Sequence, residues 1–242
     1  GPELLKHGYI PLCIDVETAA ICDLACPFCY RESLVTPDKI INEKLFKNIV
    51  DQAADMGVPS MKFNYRGEPL MHPKLHEMIG YAKKKGIIET IINTNATHLT
   101  KETSRRLIDS GLDFMIYSFD GGTKETYEKM RPGRFKKNKF EDVYKNIVGF
   151  SNVREKMNAK FPRTKIQMIL TKEAYTEQAS FFDLFHNFVD EVTVTQYFER
   201  GGNIEDLSAS YKKIYKKLCN DLNLPDNSPY LRKADGSISI SD

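Results

Sequence analysis

The sequence has little net charge, few cysteines and no long apolar run. Across 242 residues, 35 Lys and Arg stand against 33 Asp and Glu, a formal charge of +2. That balance excludes a chain built as a whole to grip nucleic acid or an anionic membrane. No apolar stretch approaches the roughly 18 residues that a membrane-spanning helix needs. The first residues do not read as a secretory leader. They begin Gly1-Pro2 without a methionine, which reads as a protease-cleavage scar, so the natural start is expected to lie elsewhere. Five cysteines are an odd number, and three of them share one stretch. That pattern excludes a disulfide framework and points to a reducing, cytoplasmic compartment and to metal. His72, His76, His98 and His186 show no ligand spacing and are expected to be structural. No acid/base dyad stands out.

What is present is the stretch Cys22-Asp-Leu-Ala-Cys26-Pro-Phe-Cys29-Tyr30, with three thiols inside eight residues. Thiolates are soft, charged ligands suited to iron–sulfur clusters and zinc. A structural zinc site wants four ligands. This stretch offers three and no histidine. Three cysteines on a four-iron cluster leave one iron open for something else, as a catalytic cluster requires. The other two cysteines, Cys13 and Cys219, stand alone and are expected to be buried small apolar residues.

The rest of the chain alternates apolar runs with amphipathic ones. Strands are expected at 9–17, 60–65, 87–93, 112–119, 164–170 and 191–197, each rich in β-branched or apolar residues. Between them lie helices. One is expected to start at Thr36-Pro37, carry Ile41, Leu45, Ile49 and Ala53, and stop at Gly57. Others open after Pro73 and Thr100 and run to Gly86 and Gly111. Two pieces, 123–130 and one through Phe140, Val143 and Ile147, follow the fourth strand. Phe181 to Phe188 marks another. Six such alternations argue for parallel strands with crossover helices. Spacing alone does not separate an open barrel from a flat, doubly wound sheet.

In α/β folds, ligands collect where strands end. The unusual residues fall at that edge: the cysteine loop, then Arg66-Gly67-Glu68-Pro69, then Thr94-Asn95-Ala96, then Ser118-Phe119-Asp120. A further run, Arg131 to Lys139, holds five bases and no acid. Such a run is ordinarily a solvated loop; the other reading is an anion site.

The Cys-x3-Cys-x2-Cys spacing, with Phe28 just before the third cysteine, resembles that of the radical S-adenosylmethionine (radical SAM) enzymes. The resemblance covers about residues 10–200 and implies an α/β fold: a partial (β/α)6, TIM-like barrel. It implies that Cys22, Cys26 and Cys29 hold a [4Fe–4S] cluster whose fourth iron is chelated by S-adenosylmethionine. Arg66-Gly67-Glu68-Pro69 is similar to the family's Gly-Gly-Glu-Pro segment, which binds the methionine amino group. That assigns Gly67, Glu68 and Pro69 to the cofactor. Arg66 replaces the first glycine of that segment, which suggests an anion contact near the substrate. Ser118 and Asp120 match a Ser-x-Asp-Gly element that meets the cofactor's carboxylate or ribose. Asn95 is expected at the ribose and Phe28 over the cluster and adenine. Leu170, with Gln167 and Tyr197 as weaker candidates, is expected on the adenine and substrate side. Arg131 is expected at the cofactor carboxylate.

The stretch from Ser118 to Gly133 is also similar to relatives that carry a cysteine-rich SPASM module after the barrel. Only Cys219 lies beyond, so that module is expected to be missing, with truncation the favoured reason. The chain therefore divides into 1–9, a barrel over 10–207, and a C-terminal helix and loop-rich tail over 208–242. The resemblance implies reductive cleavage of S-adenosylmethionine to methionine and a 5′-deoxyadenosyl radical, which takes hydrogen from a substrate. It implies an electron donor such as flavodoxin or ferredoxin, and neither nucleic acid nor membrane. A small polar, sugar-like substrate is expected, to be oxidised or epimerised. A peptide substrate is the runner-up, and a non-enzymatic zinc or electron-transfer domain is the rival of another class.

Overall fold

The computed structural model describes residues 10–29, 31 and 37–196. Thr36, Tyr197, Cys219 and the expected C-terminal helix and tail lie outside the described residues. Six strands alternate with helices: β1 (Cys13–Asp15), α1 (Glu43–Asp55), β2 (Ser60–Lys62), α2 (Leu75–Lys84), β3 (Glu89–Thr94), α3 (Lys101–Asp109), β4 (Phe114–Ser118), α4 (Lys124–Met130), α5 (Phe140–Lys156), β5 (Arg163–Leu170), α6 (Gln178–Phe185) and β6 (Glu191–Gln196). All neighbouring strands pair in parallel, in the order β1-β2-β3-β4-β5-β6.

That order decides between the two folds the spacing left open. A doubly wound sheet reverses its strand order at a switch point and carries helices on both faces. Here the order never reverses. One face, bearing Met61, Phe63, Ile92, Met115, Tyr117, Ile166 and Met168, is buried in a single apolar core with Phe46, Val50, Ile79, Leu107, Ile147 and Phe181 from the helices. By the two-residue period of a strand, Asn93, Ile116, Ser118, Gln167 and Thr193 project from the other face. β1 and β6 form the two edges, so this is an open barrel whose second face is a lumen. Residues Asn93↔Ile116, Ser118↔Gln167 and Gln167↔Thr193 are paired in register, which places their side chains in neighbouring rows.

Local chemistry explains most helix limits. Thr100 and Thr123 cap α3 and α4 by accepting from the backbone N–H groups of Thr103 and Thr126. Gly57, Gly86 and Gly111 follow α1, α2 and α3 with positive φ. The start of α1 corrects the sequence reading. Asn42, not Thr36, is the cap, accepting from the Lys44 and Leu45 N–H groups. Pro37 to Asn42 instead run alongside the approach to the cysteine loop: Ala20 N donates to Lys39 O, Ile41 N donates to Thr18 O, and Ala19 pairs with Ile40. The buried face of α1 is consequently Phe46, Val50 and Ala53, and Leu45 is exposed. Cys13 is a second correction. It opens the edge strand β1 and is exposed, not buried.

Candidate functional site

The cysteine loop follows β1 and is held from three directions. The segment leading into it, Ala19 to Ile21, packs against Gly67. A β-carbon on Gly67 would meet Ala19 O at 2.0 Å and Ile21 O at 2.7 Å. Only glycine lets the two backbones approach this closely. Glu68 N then donates to Ile21 O at 2.9 Å, fixing the end of β2 to the same segment. On the other side, residues 132–134 form a strap along the loop. Ala25 N donates to Pro132 O (2.9 Å), Arg134 N donates to Asp23 O (2.7 Å), and Leu24 pairs with Gly133 in an antiparallel bridge.

Within the loop Cys26 is buried, and Cys22 and Cys29 are half-buried. Cys29 N donates to Cys26 O at 3.0 Å, a tight turn around the middle cysteine. Burial pushes the Cys22 and Cys26 thiols up to about 12. Ligation to a metal reverses that cost by stabilising the thiolates. Among the described residues, no three Cys, His, Asp or Glu side chains gather tightly enough to hold one metal ion. A zinc site would need such convergence. A four-iron cluster takes each thiolate at a different corner, which three thiols spread over one loop can satisfy.

Glu68 is buried and its carboxylate is fully engaged. It accepts from Thr94 Oγ1 (2.6 Å), Asn95 N (2.7 Å) and Leu70 N (3.0 Å). Burial raises its pKa to about 7 against those three donated hydrogen bonds. Through these bonds Glu68 ties the ends of β2 and β3 together. Pro69 is buried and opens a short 3-10 turn (Pro69–Met71) capped by Glu68.

Asn95 reaches the cysteine loop. Its Nδ2 donates to Asp23 Oδ1 at 2.9 Å and lies 3.9 Å from Cys22 Sγ, while its Oδ1 accepts from Thr97 N and Oγ1. Asp23 also accepts from Thr97 Oγ1 (2.7 Å), and His98 Nε2 lies 3.4 Å from its Oδ2. Burial would raise the Asp23 pKa, but the bonds from His98, Thr97 and Asn95 outweigh it and hold the carboxyl below its usual range. Asn95 is thus spent on the loop, not left open toward a ribose.

Asp120 is wholly buried. Its Oδ2 accepts from Arg131 Nε (2.7 Å) and pairs with the NH2 group (2.5 Å), and its Oδ1 accepts from Ile169 N (2.6 Å). Asp120 joins β4, β5 and the strap. Burial opposes the Arg131 charge, and Asp120 overcomes that and raises its pKa further. Asp120 uses two of the guanidinium nitrogens. The third has no partner among the described residues. The guanidinium also lies 5.7 Å from the Phe28 ring centre, which fixes that ring over the cysteine loop.

Other expectations fall differently. Arg66 is not open to an anion. Its Nε and NH2 groups hold Glu17 at 3.0 and 2.6 Å, and its backbone N–H donates to the same carboxylate. Leu170 is buried, and by alternation it shares the helix-facing side of β5 with Met168. Ser118 and Gln167 face the lumen side by side, and neither side chain has a hydrogen-bond partner among the described residues. Two lumen residues escaped the sequence reading. Asn64 Oδ1 accepts from Asn93 N at 2.7 Å, and Asn93 Oδ1 is buried without any partner. His98 was expected to be structural, and the roles of Asp23 and Thr94 as hydrogen-bond partners carried no separate sequence signal. The signal available for Asp23 was its place inside the cysteine motif.

Comparison with known proteins gives this arrangement a family. Residues 16–152 match the model of the Radical SAM superfamily. The chain is 27% identical over 165 residues, 67% of its length and 44% of the relative's, to a tungsten-containing aldehyde ferredoxin oxidoreductase cofactor-modifying protein of Pyrococcus furiosus. It is 32% identical over 113 residues, 46% of its length and 29% of the relative's, to PqqA peptide cyclase of Bradyrhizobium diazoefficiens. The chain thus spans less than half the length of these curated relatives. In three dimensions it is similar to Streptococcus suis SuiB bound to S-adenosylmethionine, with TM-score 0.69, 22% identity, and 92% of this chain and 50% of that one covered. It also resembles anSMEcpe with bound AdoMet, with TM-score 0.68, 18% identity, and 87% and 60% covered. These likenesses share the fold, and the sequence match adds the ancestry: the chain belongs to the radical SAM superfamily, whose members are enzymes that use a [4Fe–4S] cluster and S-adenosylmethionine.

Proposed function

We propose that Cys22, Cys26 and Cys29 hold a [4Fe–4S] cluster at which S-adenosylmethionine is reductively cleaved, and that the substrate is a small polar molecule, sugar-like in its hydroxyls, seated in the barrel lumen. When bound, the cluster and S-adenosylmethionine supply the one-electron chemistry that gives methionine and a hydrogen-abstracting 5′-deoxyadenosyl radical. The chain's own residues bind, orient and exclude water. Arg131, aligned by Asp120, offers its third nitrogen to the cofactor carboxylate. Ser118 offers a hydroxyl beside it. Phe28 shields the loop from solvent. Glu68 and Asn95 act at one remove, by holding the rim in place.

The substrate reading rests on one observation: the lumen face carries polar side chains with no hydrogen-bond partner among the described residues. Asn93 Oδ1 is buried and unpartnered. A buried acceptor left unpaired costs about 1–3 kcal/mol, so a ligand that donates to it recovers that loss. Ser118 and Gln167 lie in the neighbouring row of the same face, Asn93 itself being paired in register with Ile116. Neutral amides and a hydroxyl suit a ligand rich in hydroxyl groups. A peptide is the second reading. It is favoured by the likeness to a SuiB structure bound to the precursor peptide SuiA (TM-score 0.68) and by β1 and β6, each of which pairs on one side only among the described residues and can receive an extended strand.

The test is product analysis on protein purified without oxygen, reconstituted with iron and sulfide and reduced with dithionite. Methionine and 5′-deoxyadenosine are expected from the wild type and not from Cys26→Ala. Deuterium transferred into 5′-deoxyadenosine from a labelled polyol or aminocyclitol supports the small substrate. Transfer only from labelled peptides overturns it in favour of the second reading.

A further inference from the structure

We infer that the strap over residues 131–139 is a docking platform for an acidic one-electron carrier protein. The strap holds five bases and no acid in nine residues. Two of those bases are committed to the fold: Arg131 to Asp120, and Arg134 to Asp38 at 2.9 Å. Lys137 makes a 3.2 Å pair with the half-buried Glu128, and its own side chain is 72% exposed. Lys136 and Lys139 are exposed and have no ion-pair partner among the described residues. Between these bases Phe135 is 60% exposed, with the Arg134 guanidinium 5.1 Å from its ring centre.

An exposed aromatic ring on a floppy loop would mean little. This loop is built rigidly. A β-carbon at Gly133 would meet Lys136 O at 1.7 Å, so the turn closes on itself. Asn138 is buried beneath it, and its Nδ2 donates to Arg131 O (2.9 Å) and Tyr127 Oη (3.1 Å). An exposed aromatic on a tight turn, with Arg134 against its ring and Lys136 next to it in the chain, has the composition of a protein-binding hot spot, in which aromatic side chains anchor and charges steer. The charge sign selects an acidic partner.

Position selects the kind of acidic partner. The strap is bridged to the cysteine loop itself, at Leu24↔Gly133. Bridged backbones lie about 5 Å apart, so the strap runs one backbone's width from the loop that carries the three thiols. This inference rests on the proposed cluster, which must receive one electron per turnover. The carrier is oxidised by one electron and the cluster is reduced by one, with no bond made or broken. An acidic peptide substrate is the competing occupant, and the test separates the two.

The probe is flavodoxin, an acidic flavoprotein, in its reduced form, with the basic protein cytochrome c as the charge control. Binding to the full chain is measured at low and moderate salt, with and without the reconstituted cluster. The comparison is wild type against Phe135→Ala and against Lys136→Glu/Lys139→Glu. Affinity is expected to fall about tenfold in each variant and to fall steeply with salt in the wild type, while cytochrome c does not bind. Cluster reduction by flavodoxin should slow in proportion, while reduction by dithionite and the thermal midpoint stay unchanged. Equal flavodoxin affinity in all three proteins overturns the inference. So does binding of cytochrome c, or strap-dependent binding of acidic peptides with none of flavodoxin. If dithionite reduces no cluster even in the wild type, the proposed function fails instead, and the binding arm still decides the platform.

Discussion

At Gly67, one hydrogen atom separates a working rim from a clash. A methyl group there would stand 2.0 Å from Ala19 O, a backbone atom that cannot rotate away. Overpacking of this kind costs about 1–3 kcal/mol, and backbone contacts sit at the upper end. Gly67→Ala is therefore expected to lose about 3 kcal/mol in urea denaturation and to hold less iron after reconstitution. A variant as stable and as iron-rich as the wild type would refute the close approach. Glu68 makes a pH prediction. Its ordinary pKa of 4.5 is raised to about 7 in the fold. The folded state then binds more protons than the unfolded one between those values. The stability that Glu68 contributes is complete below 4.5, declines as pH rises, and is gone above about 7. Glu68→Gln is expected to flatten that slope in the metal-free chain, as read by denaturation at stepped pH. An unchanged slope would assign it to another group. Both residues were visible in the sequence as an unusual strand end. Their partners were not: Ala19 and Thr94 lie far along the chain, and no local pattern announces them.

Among the elements, the strap shows where sequence reasoning stops. The run of bases after α4 was plain to see, yet its split between a buried pair and an exposed platform depends on Asp120 and Asp38. Arg131 and Asp120 form a buried ion pair. Removing either partner strands the other charge, at about 3–5 kcal/mol. Arg131→Met and Asp120→Asn are each expected to destabilise by that amount, and the double variant by clearly less than the sum. Additive losses in a double-mutant cycle would show that the two do not act as a unit. Strand and helix order was legible because apolar runs alternate with glycine and proline punctuation. The start of α1 was not. Thr36-Pro37 has the local chemistry of a helix start, but Ile40 is claimed by Ala19 twenty-one residues earlier in the chain. A non-local bridge overrode a local preference. The cap moved to Asn42, and the buried face rotated to Phe46 and Val50.

For the molecule as a whole, strand order was the missing fact. Alternating elements fit two architectures, and only pairing in chain order makes every crossover fall on one face and leaves the other as a lumen. That geometry gathers the polar strand ends, the cysteine loop and the strap at one rim. At that rim the proposed cluster has three protein ligands and one open iron. The measurement that tests this most directly is the electron paramagnetic resonance spectrum of the reduced, reconstituted chain, taken before and after adding S-adenosylmethionine, with iron, sulfide and zinc counted on the same sample. Four irons and four sulfides per chain are predicted, with a spectrum that changes when the cofactor binds. One zinc per chain, or a cluster spectrum indifferent to S-adenosylmethionine, would contradict it.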